Sequence, residues 1–169
     1  YSTISLIIKM FFYIGTPIAS VMFSYILIAK KDNNTNKEKK ILYYSIALFV
    51  FASICLSVFL IVFAKQVVLI QFTNRYEAII PLIPQAVIFG FSLGFTIITF
   101  NYGLAYKLFA PFYGYLLIFI YVYFSLRNGL RTFENFMFIM KIFFIALLIY
   151  NILIILMHRI TLKFNNKLE

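Results

Sequence analysis

Five stretches of this chain run for 17 residues or more without a charge: Met10–Ala29 (20 residues), Ile41–Ala64 (24), Ala78–Tyr106 (29), Leu108–Leu126 (19) and Ile142–His158 (17). A helix rising 1.5 Å per residue needs about 20 apolar residues to cross roughly 30 Å of hydrocarbon. None of the runs alternates with a period of two, which a membrane β-barrel would require. Helices satisfy their own backbone hydrogen bonds, a service lipid cannot provide. The expected fold is an all-α integral membrane protein of about five transmembrane helices, at 6–29, 41–64, 80–104, 108–126 and 135–157. The fifth reaches back to Asn135 if Lys141 is tolerated.

Composition points the same way. Of 169 residues, 64% are hydrophobic and 12% charged, with a mean hydropathy of +0.98. A soluble domain carries roughly 25% charge, so this chain lacks the polar surface to coat a core in water. The 21% aromatic content accompanies abundant Ile, Asn and Lys. All of these have A/T-rich codons, so coding bias accounts for it without a binding surface. The single cysteine, Cys55, lies mid-span, cannot form an internal disulfide and reads as a small packing residue.

The net charge of +10 is distributed as in a membrane protein, not as a nucleic-acid footprint. KKDNNTNKEKK at 30–40 holds five lysines and reads as a solvated loop. With Lys107 between spans three and four, and Arg159, Lys163 and Lys167 in the tail 158–169, one side holds nine basic residues. Lys65, Arg75, Arg127 and Arg131 give the other side four. By the positive-inside rule the lysine-rich loop and the C-terminus face the cytoplasm of a cell membrane. The opening YSTISLIIKMFF, already apolar and helical, reads as cut from something larger.

No catalytic constellation is visible. His158 is the only histidine, and it sits beside Arg159 at a membrane end, so neither a metal cluster nor a Ser–His–Asp arrangement can be assembled around it. Asp32, Glu38, Glu77, Glu134 and Glu169 all fall outside the apolar runs, which disfavours a carboxylate proton relay. No enzyme activity, cofactor or metal is expected. Lys9 and Lys141 lie about two turns inside their spans. Each can snorkel to the interface at low cost or face a polar cavity. Gln85, Thr96, Thr99, Asn101 and Asn151 are further polar positions, with Gln85 and Asn101 the costlier ones to leave in lipid. Gly90 and Gly94 form a GxxxG that permits close helix approach. Pro81, Pro84 and Pro111 fall where helices begin, and Pro17 is expected to kink span one.

Several segments follow one another in a familiar order. GTPIASVMFSYI leads into the charged loop; FAKQVVLIQFTNRYEAIIPLIPQAVIFG joins an apolar span, an amphipathic elbow, a Tyr and a new apolar run; NYGLAYKLFAP makes a short turn with a Pro opening the next helix. Together they resemble the C-terminal part of polysaccharide flippases of the multidrug/oligosaccharidyl-lipid/polysaccharide (MOP) superfamily, the O-antigen type. The resemblance covers most of the chain, with departures: Ser24 stands where a proline is often found, and QFTNRY lacks a glycine common before the Tyr. In a twelve-helix member these spans would be the eighth to twelfth.

The resemblance implies one part of a two-lobed transporter that moves a lipid-linked oligosaccharide between leaflets by alternating access. The implied partners are membrane lipid, a polyprenyl-phosphate-linked sugar, a coupling ion and an N-terminal half absent from this chain; no nucleic acid is involved. Lys9 would face the central cavity and meet the anionic substrate, with Asn101 and Tyr102 contributing to binding, and Tyr106 and Lys107 to the inner gate or turn. Two rival readings remain at this point: a small membrane scaffold or assembly subunit, and a fragment of a lipid-dependent membrane glycosyltransferase.

Overall fold

A computed structural model describes the backbone of residues 2–32, 34–66, 80–127 and 133–165. Arg75 and Glu77 of the elbow, Arg131 and Lys167 lie outside the described residues, as do the side chains of Glu134 and Lys163. The elements are all helical: α1 (Ser2–Lys31), α2 (Thr35–Val62), α3 (Ile83–Ala105), α4 (Ala110–Arg127) and α5 (Phe133–Asn165). Among the described residues, four stretches are long and apolar enough to cross a membrane: Ser5–Lys31, Thr35–Val62, Ile80–Ala105 and Phe138–Thr161. α4, with 18 residues, is the shortest helix of the five.

Helix direction follows from which residues meet. Built as a Cβ, Gly90 would strike the Phe11 ring and Gly15 the Gly94 carbonyl, while Lys30 reaches Ala105; α1 and α3 therefore run parallel. Phe89 stacks on Phe144, Thr96 meets Asn151, and Tyr102 meets His158, so α5 is parallel to both. α2 runs the other way, with Glu38 at Tyr106 and Phe49 at Gly94. The ends of α1, α3 and α5 and the start of α2 thus gather at the lysine-rich end.

α3 is the central helix, buried along much of its length. In lipid no hydrophobic force drives helices together, so close van der Waals packing must do it. Three apolar clusters surround α3. Met22, Ile26, Phe49, Ile98 and Tyr102 pack toward the lysine-rich end, Ile7, Phe11, Leu60 and Ile83 toward the opposite end, and Phe89, Phe144 and Leu147 against α5. The GxxxG is used as the sequence suggests. Phe11 fills the space over Gly90, and a Cβ on Gly94 would lie 2.7 Å from the Phe49 ring.

The lysine-rich segment is mostly helix, contrary to the loop its charge suggests. α1 extends to Lys31 and α2 starts at Thr35. Asn34 caps α2 by accepting a hydrogen bond from the Lys37 amide (2.9 Å), and Glu38 sits in the first turn, where the helix dipole favours a carboxylate. α3 starts through a 3₁₀ turn over 80–82, with Pro84 in the first helical positions, where a missing N–H costs least. α1 continues unbroken through Pro17. Cys55 is exposed, which corrects its reading as a packing residue: it lies on the outward face of α2.

The α3–α4 turn has a defined geometry. The Leu108 amide bonds the Gly103 carbonyl at 2.8 Å and the Lys107 amide bonds Leu104 at 3.2 Å, the pair of bonds of a Schellman cap. Lys107 takes φ = 55° to make it, a conformation that favours glycine. Pro111 closes over Gly103, leaving no room for a side chain there. Lys107→Gly should therefore stabilise the protein by about 1 kcal/mol in detergent unfolding. A neutral or negative result would mean the lysine makes a compensating contact.

Candidate functional site

Two polar features stand out against the apolar bundle. The first closes its lysine-rich end. Lys30, at the last turn of α1, donates to the Ala105 carbonyl at 3.0 Å and lies 4.5 Å above the centre of the Tyr106 ring. This satisfies one of the carbonyls that every helix leaves free at its C-terminus, and a cation suits that end of the dipole. Tyr106, the C-cap of α3, donates its hydroxyl to Glu38 of α2. Burial, then the bond to Glu38, pushes the Tyr106 hydroxyl far above its usual titration range, so it stays protonated and donating.

α5 completes the ring. His158 Nδ1 lies 2.8 Å from the Tyr102 hydroxyl, and its ring stands edge-on to Tyr106 at 4.6 Å between centroids. The next residue, Arg159, donates to the Lys39 carbonyl on α2 at 3.4 Å. Four helices are thereby joined by side chains from α1, α2, α3 and α5. The surrounding Lys31, Lys39, Lys40 and Lys107 are exposed.

The second feature is a stripe along α1. Lys9, Tyr13, Thr16, Pro17, Ser20 and Ser24 are all exposed. At about 100° per residue they fall within roughly a quarter to a third of the helix circumference, opposite the face formed by Phe11, Ala19, Met22 and Ile26. The hydroxyls of Thr16, Ser20 and Ser24 donate to the carbonyls four residues earlier, at 2.8–3.2 Å. Other outward faces are built differently. α2 presents Leu48, Phe51, Ile54, Val58 and Val62, and α5 presents Ile142, Ile145, Ile149, Ile152 and Leu156, with Lys141 exposed beside them and no hydroxyls on that face among the described residues.

The structure does not unite the three residues expected to bind substrate. Lys9 lies on the α1 stripe, about 30 Å along the helix from Lys30. Tyr102 is buried in the lysine-rich end cluster. Asn101 is half-buried and turns its amide to the Ile97 carbonyl of its own helix at 3.0 Å. Asn151, named from the sequence only as a polar position within a span, makes a buried interhelical hydrogen bond: its amide donates to Thr96 Oγ1 at 2.9 Å and to Leu147 O at 2.8 Å. Gln85 leaves its side-chain oxygen buried without a partner.

Asn151→Leu should cost about 1 kcal/mol, near the usual worth of an interhelical hydrogen bond in a membrane. The cost is held down because Thr96 also donates to the Ser92 carbonyl at 2.8 Å. Equilibrium unfolding in mixed micelles would measure it, and a loss above about 3 kcal/mol would show that Asn151 supports more than this pair.

Sequence reasoning missed the partners of Tyr102 and Tyr106. Glu38 was assigned to a solvated loop, and His158 was weighed only as a metal or triad member. The signal was present in the topology. Alternating spans bring residues 30, 38, 106 and 158 to one membrane face, and partly buried polar groups there need one another. The α1 stripe was also legible, as hydroxyls recurring every four residues at 16, 20 and 24. Comparison with protein-family models, with curated proteins and with solved structures gives no match.

Proposed function

We propose that this chain is one lobe of a membrane transporter of the MOP type, carrying a polyprenyl-phosphate-linked sugar by alternating access. The observation that supports this reading is the α1 stripe. Each of these residues is tolerable singly in lipid, the lysine by snorkelling and the hydroxyls by bonding their own helix. Gathered on one outward face, a lysine, a proline and three hydroxyls suit a helix lining a water-filled cleft. Lys9 supplies the positive charge that a phosphate-bearing substrate needs. The sequence resemblance assigns the same helix to the cavity between two lobes.

On this reading α4 makes a fifth crossing and the lysine-rich end faces the cytoplasm of the plasma membrane, in accord with the charge distribution. The facing lobe and the coupling ion are supplied from outside these five helices. The role is binding and movement, without bond-breaking chemistry.

Cysteine accessibility tests it. In a Cys55→Ser background, Lys9→Cys and Ser20→Cys should react in native membranes with a membrane-impermeant maleimide at least tenfold faster than Ile54→Cys on the apolar face of α2. If both stripe positions are as unreactive as Ile54→Cys, the cavity reading is lost. The stripe would then pack against a partner protein, as the scaffold alternative requires.

A further inference from the structure

His158 is the one side chain in the bundle-end cluster whose ordinary titration range spans pH 5 to 8. Its surroundings make that range consequential. Tyr102 Oη is 2.8 Å from Nδ1, and neither ring nitrogen is committed to a backbone carbonyl among the described contacts. Because the Tyr102 hydroxyl can donate to Nδ1 of a neutral imidazole, a closed O–H···N bond places the imidazole proton on Nε2. The charged groups acting on it are Lys30 from α1 and Glu38 from α2; α3 contributes the Tyr102 and Tyr106 phenols, on which Arg159 of α5 acts in turn. The cluster around the ring thus holds two cations and one carboxylate.

We propose that His158, Tyr102, Tyr106, Glu38 and Lys30 form a proton-binding site that fastens the lysine-rich ends of α1, α2, α3 and α5, and that taking up one proton on His158 releases them. The step balances simply. Nδ1 gains a proton from water, the O–H···N bond from Tyr102 is replaced by N–H···O in the opposite sense, and no other bond is broken. The cluster then holds three cations against one carboxylate. Lys30 is the cation placed to move, since its contacts among the described residues are a carbonyl and the face of Tyr106. Its departure takes the end of α1 away from α3 and α5. Clusters of this kind switch interfaces in other pH-responsive proteins. The site stands apart from the transport reading, because it is defined by contacts among helices and not by a substrate.

The test is a distance measurement on the full chain in lipid nanodiscs. Spin labels are placed at Lys31→Cys and Thr161→Cys, both exposed positions at the ends of α1 and α5, in a Cys55→Ser background. At pH 8 a single short distance is expected. At pH 5.5 a longer population should dominate. His158→Gln, which keeps a hydrogen-bonding partner for Tyr102 but cannot titrate, should hold the short distance at both pH values. Tyr102→Phe weakens the closed state while keeping the imidazole, so its midpoint should move to higher pH.

Identical distance distributions at both pH values in the unsubstituted cluster would overturn the proposal. An equal acid response in His158→Gln would also overturn it, since the proton would then bind elsewhere. Should His158→Gln lose its helical circular-dichroism signal, the Tyr102→Phe midpoint decides alone: an unmoved midpoint rejects the site.

Discussion

Gly15→Leu is expected to destabilise the bundle by about 3 kcal/mol, roughly a hundredfold in the ratio of folded to unfolded protein, at the severe end of overpacking effects. A Cβ at Gly15 would lie 2.9 Å from the Gly94 carbonyl oxygen and 3.2 Å from its Cα. Both are backbone atoms, so no side chain can rotate away to make room. The helices must separate, and packing contacts on both sides of the crossing are lost with them. Because lipid offers no hydrophobic compensation, lost packing is not recovered elsewhere. Gly15→Ala should cost about 1 kcal/mol, and Thr16→Leu on the exposed stripe less than about 0.5 kcal/mol. Unfolding in mixed micelles, followed by circular dichroism, would rank the three. A tolerated Gly15→Leu would mean that α1 and α3 do not cross at this point.

The second large effect is expected at Glu38. Glu38→Ala removes the acceptor for the half-buried Tyr106 hydroxyl and the carboxylate that acts on Tyr106 and His158. Hydrogen bonds to charged groups are worth about 1.5–3 kcal/mol, and a cost of about 2 kcal/mol is expected. Tyr106→Phe should cost less, because the phenylalanine ring still lies under Lys30 and against His158. A double-mutant cycle between Glu38→Ala and Tyr106→Phe should return a coupling of about 1.5 kcal/mol. Glu38→Gln, which can still accept from Tyr106, should recover about half of the loss. Additive single mutants would separate Glu38 from Tyr106 and break the ring of contacts at that end.

Much of the architecture was legible in the sequence. Uncharged runs locate the long helices because the bilayer sets a minimum length for each. Pro84 marks a helix start, and Gly90 and Gly94 mark a close crossing, because each residue type has a backbone consequence that does not depend on its neighbours. What escaped the sequence depends on neighbours. Gly15 lies in an unremarkable GTPIA and becomes decisive only because Gly94 arrives opposite it. Cys55 faces outward because its helix turns Ser53 and Phe49 inward. Glu38 looked solvated because it stands among five lysines, yet α2 begins early enough to carry it to Tyr106. Lys9 was singled out as a charge within a span. The hydroxyls that give its face a shared character become meaningful when seen as exposed together. The exposed face of α2, by contrast, is apolar in mid-helix, and that of α5 carries Lys141 alone among isoleucines and leucines.

The crossing at Gly15 and Gly94 has a mechanical meaning. With no side chains between them, the two backbones bear directly on each other at one point, about which α1 can tilt. Lys30 lies 15 residues beyond Gly15 on α1, a lever arm of about 22 Å. A tilt of only about 10° about that fulcrum would displace the lysine end by roughly 4 Å, more than any hydrogen bond in the cluster can stretch. Small rotations in mid-membrane would therefore be read out at the membrane surface as an all-or-none break.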